Sequence, residues 1–142
     1  MTATNQSPTG GLTPHIMILG NRAAEAIDFY KAAFGATELT RMLAEDGVRI
    51  MHAHLHVNGA SLMLNDDFPE YHGPGATPEG PPAGTVLHLQ VDDADTWFDR
   101  AVAAGGSARM TPQDMFWGDR YGHVGDLFSH VWSIASPIRA GA

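Results

Sequence analysis

The sequence predicts an α+β fold in which two βαβββ modules form a half-open curved sheet. Two observations support this fold class: the order strand, helix and three strands occurs twice, about 70 residues apart, and a segment rich in proline and glycine separates the two copies. A sheet with a helix on one side leaves its other side bare, so pairing two such modules gives each sheet a partner.

The first module is predicted for residues 12–66. Residues 13–19 are a strand candidate, and Gly20-Asn21 then start a helix that Gly35 ends. The apolar residues of this helix recur at helical spacing: Ala23, Ala26, Ile27, Tyr30 and Phe34. Three strands follow at residues 37–43, 48–57 and 60–65, and the turn signals EDG and NG separate them.

The second module is predicted for residues 85–136 and repeats this order. A strand at residues 85–91 leads into Asp92-Asp93, which cap a helix that Gly105-Gly106 end. One face of this helix is apolar and is expected to pack on the sheet: Ala94, Trp97, Phe98, Ala101 and Val102. Strands follow at about residues 107–111, 121–125 and 130–135.

The other segments are assigned to tails and a connection. We expect residues 1–11 to be a disordered tail, residues 67–84 a linker and residues 137–142 a C-terminal tail, so that residues 12–136 make one domain. The chain has 16 acidic and 8 basic side chains without a basic cluster, which argues against binding nucleic acid or an anionic membrane. No apolar run has the length of a membrane-spanning helix. The absence of cysteine excludes disulfides and thiolate ligands, and we expect a cytoplasmic protein.

Alternation along the strands predicts which side chains lie on the helix-free face of each sheet. In residues 50–57, the residues Met51, Ala53, Leu55 and Val57 are assigned to the helix side, which places His52, His54 and His56 on the helix-free face. The same rule adds His15, Met63, His88 and Ser133 to that face. Such imidazoles suit a metal site, proton transfer or a polar ligand; alternatively they are the solvated side of amphipathic strands. The three histidines of one strand span about 13 Å, so they cannot all bind one ion.

Residues 116–122, FWGDRYG, combine aromatic, charged and glycine residues directly before a strand. We predict that they fold over a ligand, with apolar contacts from Trp117 and Tyr121 and an anion contact from Arg120. The alternative is a structural turn in which Trp117 fills the core and Arg120 pairs with Asp119 or Asp126. The acidic pairs at residues 66–67 and 92–93 stand at element boundaries, where capping and turn formation explain them.

Three segments resemble the glyoxalase, bleomycin-resistance and extradiol-dioxygenase superfamily, also called the vicinal oxygen chelate (VOC) superfamily. They are LTPHIMILGNRAAEAIDFYKAAFGA, VRIMHAHLHVNGASLMLND and FWGDRYGHVGDLFSHVWSI, and within the superfamily they are similar to its PhnB-like branch. The resemblance extends from about residue 12 to residue 136 and implies the paired βαβββ fold.

The resemblance also bears on metal binding. Metal-dependent members place one ligand on the first and last strand of each module, usually His or Gln, Glu, His and Glu. The corresponding residues here are His15, Met63, Val86 and Ser133. Only His15 is a good ligand for a divalent ion, so the resemblance does not carry over the usual four-ligand site or any cofactor. A displaced site with His15, His88 and one of His52 or His54 is the remaining option for a divalent metal.

Two functions stay open on the sequence. One is a small-molecule binding protein without a metal, in which the ligand contacts are drawn from His15, His52, His54, Met63, His88, Trp117, Arg120, Tyr121 and Ser133. The other is a metal-dependent lyase, isomerase or dioxygenase that uses the displaced histidine site. In both cases we expect a homodimer, because the linker is long enough for one module to pair with its counterpart in a second chain.

Overall fold

The computed structural model of the protein describes residues 7–71 and 84–138. Within these ranges the chain forms two four-stranded sheets and two α-helices in the order βαβββ-βαβββ, which confirms the predicted fold class. Neither of these helices is long and apolar enough to cross a membrane. Residues 7–31 and 35–71 group into one compact unit, and residues 32–34 and 84–138 into another. Most of the predicted linker, residues 72–83, and the outer parts of both predicted tails, residues 1–6 and 139–142, lie outside the described residues.

The first module has five main elements: β1 (His15–Ile18), α1 (Ala23–Phe34), β2 (Thr37–Leu43), β3 (Ile50–Val57) and β4 (Ala60–Asp66). The strand order is β1-β4-β3-β2, with β1 parallel to β4 and the other pairs antiparallel. A short 3-10 turn, Pro69–Tyr71, follows β4. The helix ends at Gly35 as predicted, because this glycine adopts the left-handed conformation with φ of 66°.

The start of α1 differs from the prediction. The residue at the N-cap is Arg22, and its side chain makes no capping hydrogen bond, so the Gly20-Asn21 start is wrong. Asp66 at the end of β4 takes over this role, since its Oδ1 accepts a hydrogen bond from the Ala23 amide at 2.8 Å. Its Oδ2 accepts another from the Ile50 amide at 2.7 Å, and the residue is only 1% exposed. Asp66 thus caps a helix 43 residues away in the chain, whereas the prediction for residues 66–67 was capping or turn formation at the end of their own strand.

A β-bulge in β3 changes the predicted sorting of one residue. Met42 pairs with His52 and Leu43 pairs with Ile50, which leaves Met51 as the extra residue. Met51 is 50% exposed, so its assignment to the packed side is wrong, whereas Ile50 takes a fully buried position. Ala53, Leu55 and Val57 are buried as predicted.

The second module repeats the plan with β5 (Leu87–Gln90), α2 (Ala94–Ala103), β6 (Ser107–Asp114), β7 (Asp119–Gly125) and β8 (Val131–Pro137). Its strand order is β5-β8-β7-β6. Asp93 caps α2 as predicted, and its side chain accepts from the Thr96 amide at 3.3 Å. Ser136 in β8 accepts from the Ala94 amide at 2.9 Å and is thus the counterpart of Asp66. On α2, Val102 is 36% exposed although the periodicity assigned it to the packed face.

The two modules also share a bulge at the same place. Between the pairs Glu38–Leu55 and Thr40–His54, Leu39 is extra; between Ala108–Val124 and Met110–His123, Arg109 is extra. These two bulges place Leu39 and Arg109 at equivalent positions, although β6 has a further irregularity between Met110 and Gln113.

Candidate functional site

The helix-free face of the second module carries a group of polar side chains that we call the polar face: His88, Gln90, Tyr121, His123 and Ser133. Strand pairing brings them together, because Ser133 of β8 is the Cα partner of His88 on one side and of His123 on the other. Ala135 is likewise the partner of Gln90 and Tyr121. The five side chains therefore come from three adjacent strands.

Hydrogen bonds and ring contacts connect the polar face. The His88 ring lies between Ser133 and Gln90, with Nδ1 2.7 Å from the Ser133 Oγ and Nε2 2.9 Å from the Gln90 Oε1. Tyr121 places its hydroxyl 2.9 Å from Nε2 of His123. The rings of His88 and Tyr121 are nearly parallel, with an angle of 22° and centroids 6.3 Å apart.

This pattern defines what the side chains can do chemically. A neutral imidazole has one donor and one acceptor nitrogen, so a neutral His88 that donates from Nε2 to the Gln90 carbonyl accepts at Nδ1 from the Ser133 hydroxyl. Both nitrogens are then engaged, while His88 remains exposed and Ser133 is 2% exposed. The two hydrogen bonds hold the ring in place beside the nearly parallel ring of Tyr121.

The helix-free face of the first module has the corresponding row His15–Met63–His54 across β1, β4 and β3. Nε2 of His15 contacts Oδ1 of Asn65, and Nε2 of His54 lies 2.8 Å from the Ser61 hydroxyl. His54 is buried, with 1% exposure, while His15 and His56 are exposed and His52 is half-buried. The predicted face is correct for these histidines, but His54 is not a solvated strand residue.

Residues 115–118 form a loop, whereas residues 119–122 of the predicted loop belong to β7, and the aromatic side chains of this segment lie at the edge of the polar face. Trp117 is 48% exposed, so it does not fill the core, and it contacts Tyr121 edge-on with ring centroids 5.3 Å apart. Phe116 is 96% exposed and makes a similar contact with Trp117 at 5.1 Å. The loop thus extends the aromatic surface that begins at Tyr121.

Arg120 is held by two carboxylates. Its Nε donates to Asp95 at 2.6 Å and its terminal nitrogen to Asp114 at 3.0 Å, rather than to Asp119 or Asp126. These hydrogen bonds raise the pKa of Arg120 above its ordinary value, because they stabilise the cation. The guanidinium borders a cleft of about 350 Å³ that is also lined by Asp92, Asp93, Asp95 and Asp114. Because four aspartates line this cleft, its negative charge disfavours an anion, and the predicted anion contact of Arg120 is not favoured.

The register corrects one position of the family's metal-ligand set. In the first module, His15 of the first strand pairs with Met63 of the last strand. In the second module, the residue that pairs with Ser133 of the last strand is His88, whereas Val86 lies before β5. The four positions therefore hold His15, Met63, His88 and Ser133. Neither pair fits a divalent metal, since the thioether of Met63 and the neutral hydroxyl of Ser133 are poor ligands and both nitrogens of His88 already have hydrogen-bond partners. In the described part of the chain no three His, Asp or Glu side chains are grouped to hold a metal ion.

Sequence reasoning missed His123 and Arg109. His123 follows Tyr121 by two residues in β7, so alternation could have placed it on the same face. Arg109 is a bulge residue, and alternation cannot predict the direction of such a side chain.

Comparison with known proteins gives the same fold and family. Residues 13–134 match the family model described as Glyoxalase/Bleomycin resistance protein/Dioxygenase superfamily. The uncharacterized protein Mb0911c of Mycobacterium bovis is 43% identical over 139 residues, which cover 96% of this chain and 88% of that protein.

Two solved structures are similar throughout. Protein PA1353 from Pseudomonas aeruginosa has 27% identity and a TM-score of 0.70, covering 91% of this chain and 98% of that chain. The PhnB protein from Bacillus cereus shares the fold, with a TM-score of 0.67 at 19% identity and coverage of 89% and 99%.

Proposed function

Because the chain belongs to the glyoxalase/bleomycin resistance protein/dioxygenase superfamily, we propose that it binds a small molecule on the polar face without the usual four-ligand metal site. The observation that carries this proposal is the arrangement of His88, whose nitrogens are bracketed by Ser133 and Gln90 and whose ring lies parallel to Tyr121. Ordered polar groups beside exposed aromatic rings are typical of ligand sites.

The chemistry of the polar face supports binding in preference to metal catalysis. A metal at His88 would have to replace the hydrogen bond to Ser133 or the one to Gln90. A planar ligand, in contrast, can stack on the ring of Tyr121 and contact Trp117 with its edge without breaking either bond. The metal-dependent alternative therefore has less support, and we derive no reaction step through a metal.

The proposal is tested by screening a library of small aromatic and polar compounds by NMR against the labelled full-length protein. We expect hits to shift the signals of His88, Tyr121 and His123, and His88→Gln to weaken their binding at least fivefold while leaving the free energy of unfolding within about 0.5 kcal/mol. His56→Gln, an exposed histidine of the first module, is the matched control. Hits that bind elsewhere and ignore the His88 substitution would contradict the proposal.

Metal content is measured separately on protein purified without an affinity tag or chelator. We expect no stoichiometric divalent metal, and no change in melting temperature when a chelator or a divalent ion is added. One tightly held metal ion per chain would favour the alternative of a metal-dependent lyase, isomerase or dioxygenase.

A further inference from the structure

Resting on the proposed function, we infer that the ligand carries an oxyanion, a carboxylate, phosphate or phosphonate, and that Arg109 binds it at one end of the polar face. Arg109 lies outside the residues that the family pattern uses.

The position of Arg109 is the first observation. A Cβ atom built on Gly125 would lie 2.8 Å from Nε and 3.0 Å from a terminal nitrogen of Arg109, so the guanidinium lies directly over this glycine. Gly125 follows His123 by two residues in β7, whereas Val124 between them is fully buried on the opposite side. The guanidinium therefore lies on the helix-free face, beside His123.

The charge of Arg109 is the second observation. Among the described residues, the side chains of Arg22, Lys31, Arg41, Arg49 and Arg120 form ion pairs with carboxylates, and Arg100 donates to a main-chain carbonyl. Arg109 is exposed and has neither an ion pair nor a hydrogen bond to any residue of the described ranges. Its neighbour Asp126 is buried and accepts from two amides and the Trp132 indole.

Comparison of the modules is the third observation. The shared bulge places Arg109 of the second module at the position that Leu39 has in the first. By the same register, His123 corresponds to His54, and Gly125 corresponds to His56. The second module thus has a cationic side chain, Arg109, and also a glycine, Gly125, whose missing side chain leaves room for the guanidinium. The first module has neither.

The geometry also limits the size of the ligand. Gly125, His123 and Tyr121 are successive residues on one face of β7, so Arg109 and the Tyr121 ring lie about 13 Å apart along the strand. A fused two-ring aromatic acid can place its carboxylate on the guanidinium and its rings over His123 toward Tyr121. A guanidinium suits such an oxyanion because it can donate two parallel hydrogen bonds.

The test compares two probes of the same shape, 2-naphthoate and the neutral 2-naphthamide, by NMR titration of the full-length protein. We expect naphthoate to bind at least tenfold more tightly and to shift the Nε–H signal of Arg109 together with the signals of His123 and Tyr121.

Two variants separate charge from position. Arg109→Gln should remove the preference for naphthoate, and Arg22→Gln, which removes an equal charge from an exposed pair in the first module, should keep it. Gly125→Ala retains every charge but displaces the guanidinium, and the backbone tolerates it because only the flexible end of Arg109 is in the way. It should weaken naphthoate binding about as much as Arg109→Gln.

The outcomes distinguish this inference from the proposed function. Equal binding of both probes on the polar face, unaffected by Arg109→Gln, overturns the anion inference and leaves the proposed function standing. If naphthoate does not bind at all up to its solubility limit, the inference also fails, and the library screen alone decides the proposed function. If Arg22→Gln also abolishes naphthoate binding, the preference for naphthoate depends on the net charge of the protein and not on the position of Arg109. This result would also overturn the inference.

Discussion

Single residues of the same type have different roles in this protein, and their contacts determine which. His54 and His56 are two residues apart in β3 on the same face, with ring centroids 5.4 Å apart. His54 is 1% exposed and bonds to Ser61, while His56 is exposed. Alternation placed both residues on the correct face but did not distinguish the buried one from the exposed one.

The first prediction follows from this difference. His54→Ala should lower the free energy of unfolding by about 1–2 kcal/mol, because it removes a buried ring and its hydrogen bond to Ser61. His56→Ala should change it by less than about 0.5 kcal/mol. Urea unfolding followed by circular dichroism measures both values. Equal effects of the two substitutions would show that the burial of His54 contributes nothing.

At the scale of the elements, the last strand of each module completes the first turn of its helix. Asp66 bonds to the first amide of α1 and also to the amide of Ile50 beside the bulge, whereas the Ser136 hydroxyl bonds, within residues 7–71 and 84–138, to the first amide of α2 alone. α2 has in addition the local cap Asp93. The first module therefore depends more on a single residue.

The second prediction compares these two residues. Asp66→Ala should destabilise the protein by about 2–4 kcal/mol, since it leaves two buried amides without acceptors. Ser136→Ala should cost about 1 kcal/mol, because one amide loses its acceptor and Asp93 still caps the helix. Denaturant unfolding of the two variants checks the order. A larger loss for Ser136→Ala would contradict it.

The limits of sequence reasoning are clearest at this scale. Helix periodicity and strand alternation are local patterns, so the ends of β2 and the Gly35 end of α1 agree with the prediction. The cap from Asp66 and the bulges at Met51 and Arg109 arise from pairing between distant segments, which no local pattern records. For the same reason the candidate site was predicted in part: His88 follows from alternation and Tyr121 from the composition of residues 116–122, whereas Arg109 follows from neither.

At the scale of the whole molecule, the two modules share a fold but differ at equivalent positions of the site. His15 corresponds to His88 and His54 to His123, whereas Met63 corresponds to Ser133. Each module thus has two histidines at equivalent positions, and the residue between them differs. This difference gives the second module the hydroxyl that orients His88.

The third prediction concerns assembly. We expect a homodimer, with a mass near twice the 15.2 kDa of the chain, because the predicted linker of residues 67–84 is long enough for one module to pair with its counterpart in a second chain. Exposed apolar residues around the β2–β3 hairpin offer surface for such a contact: Met42, Leu43, Val48 and Met51. Light scattering at micromolar concentration measures the mass. A monomeric value would remove this prediction without affecting the fold.

The carboxylate of Asp66 also has a consequence for the order in which the first module forms. Its bonds to Ala23 and Ile50 span 43 and 16 residues, so neither can exist until β4 has been synthesised and has joined the sheet. Before that moment Asp66 cannot accept a hydrogen bond from the Ala23 amide, so we expect the N-terminal end of α1 to fray. Once β4 is in place, we expect both amides to be protected from hydrogen exchange together and to become accessible together when the strand detaches. One side chain thereby links the helix, the bulged strand and the final strand.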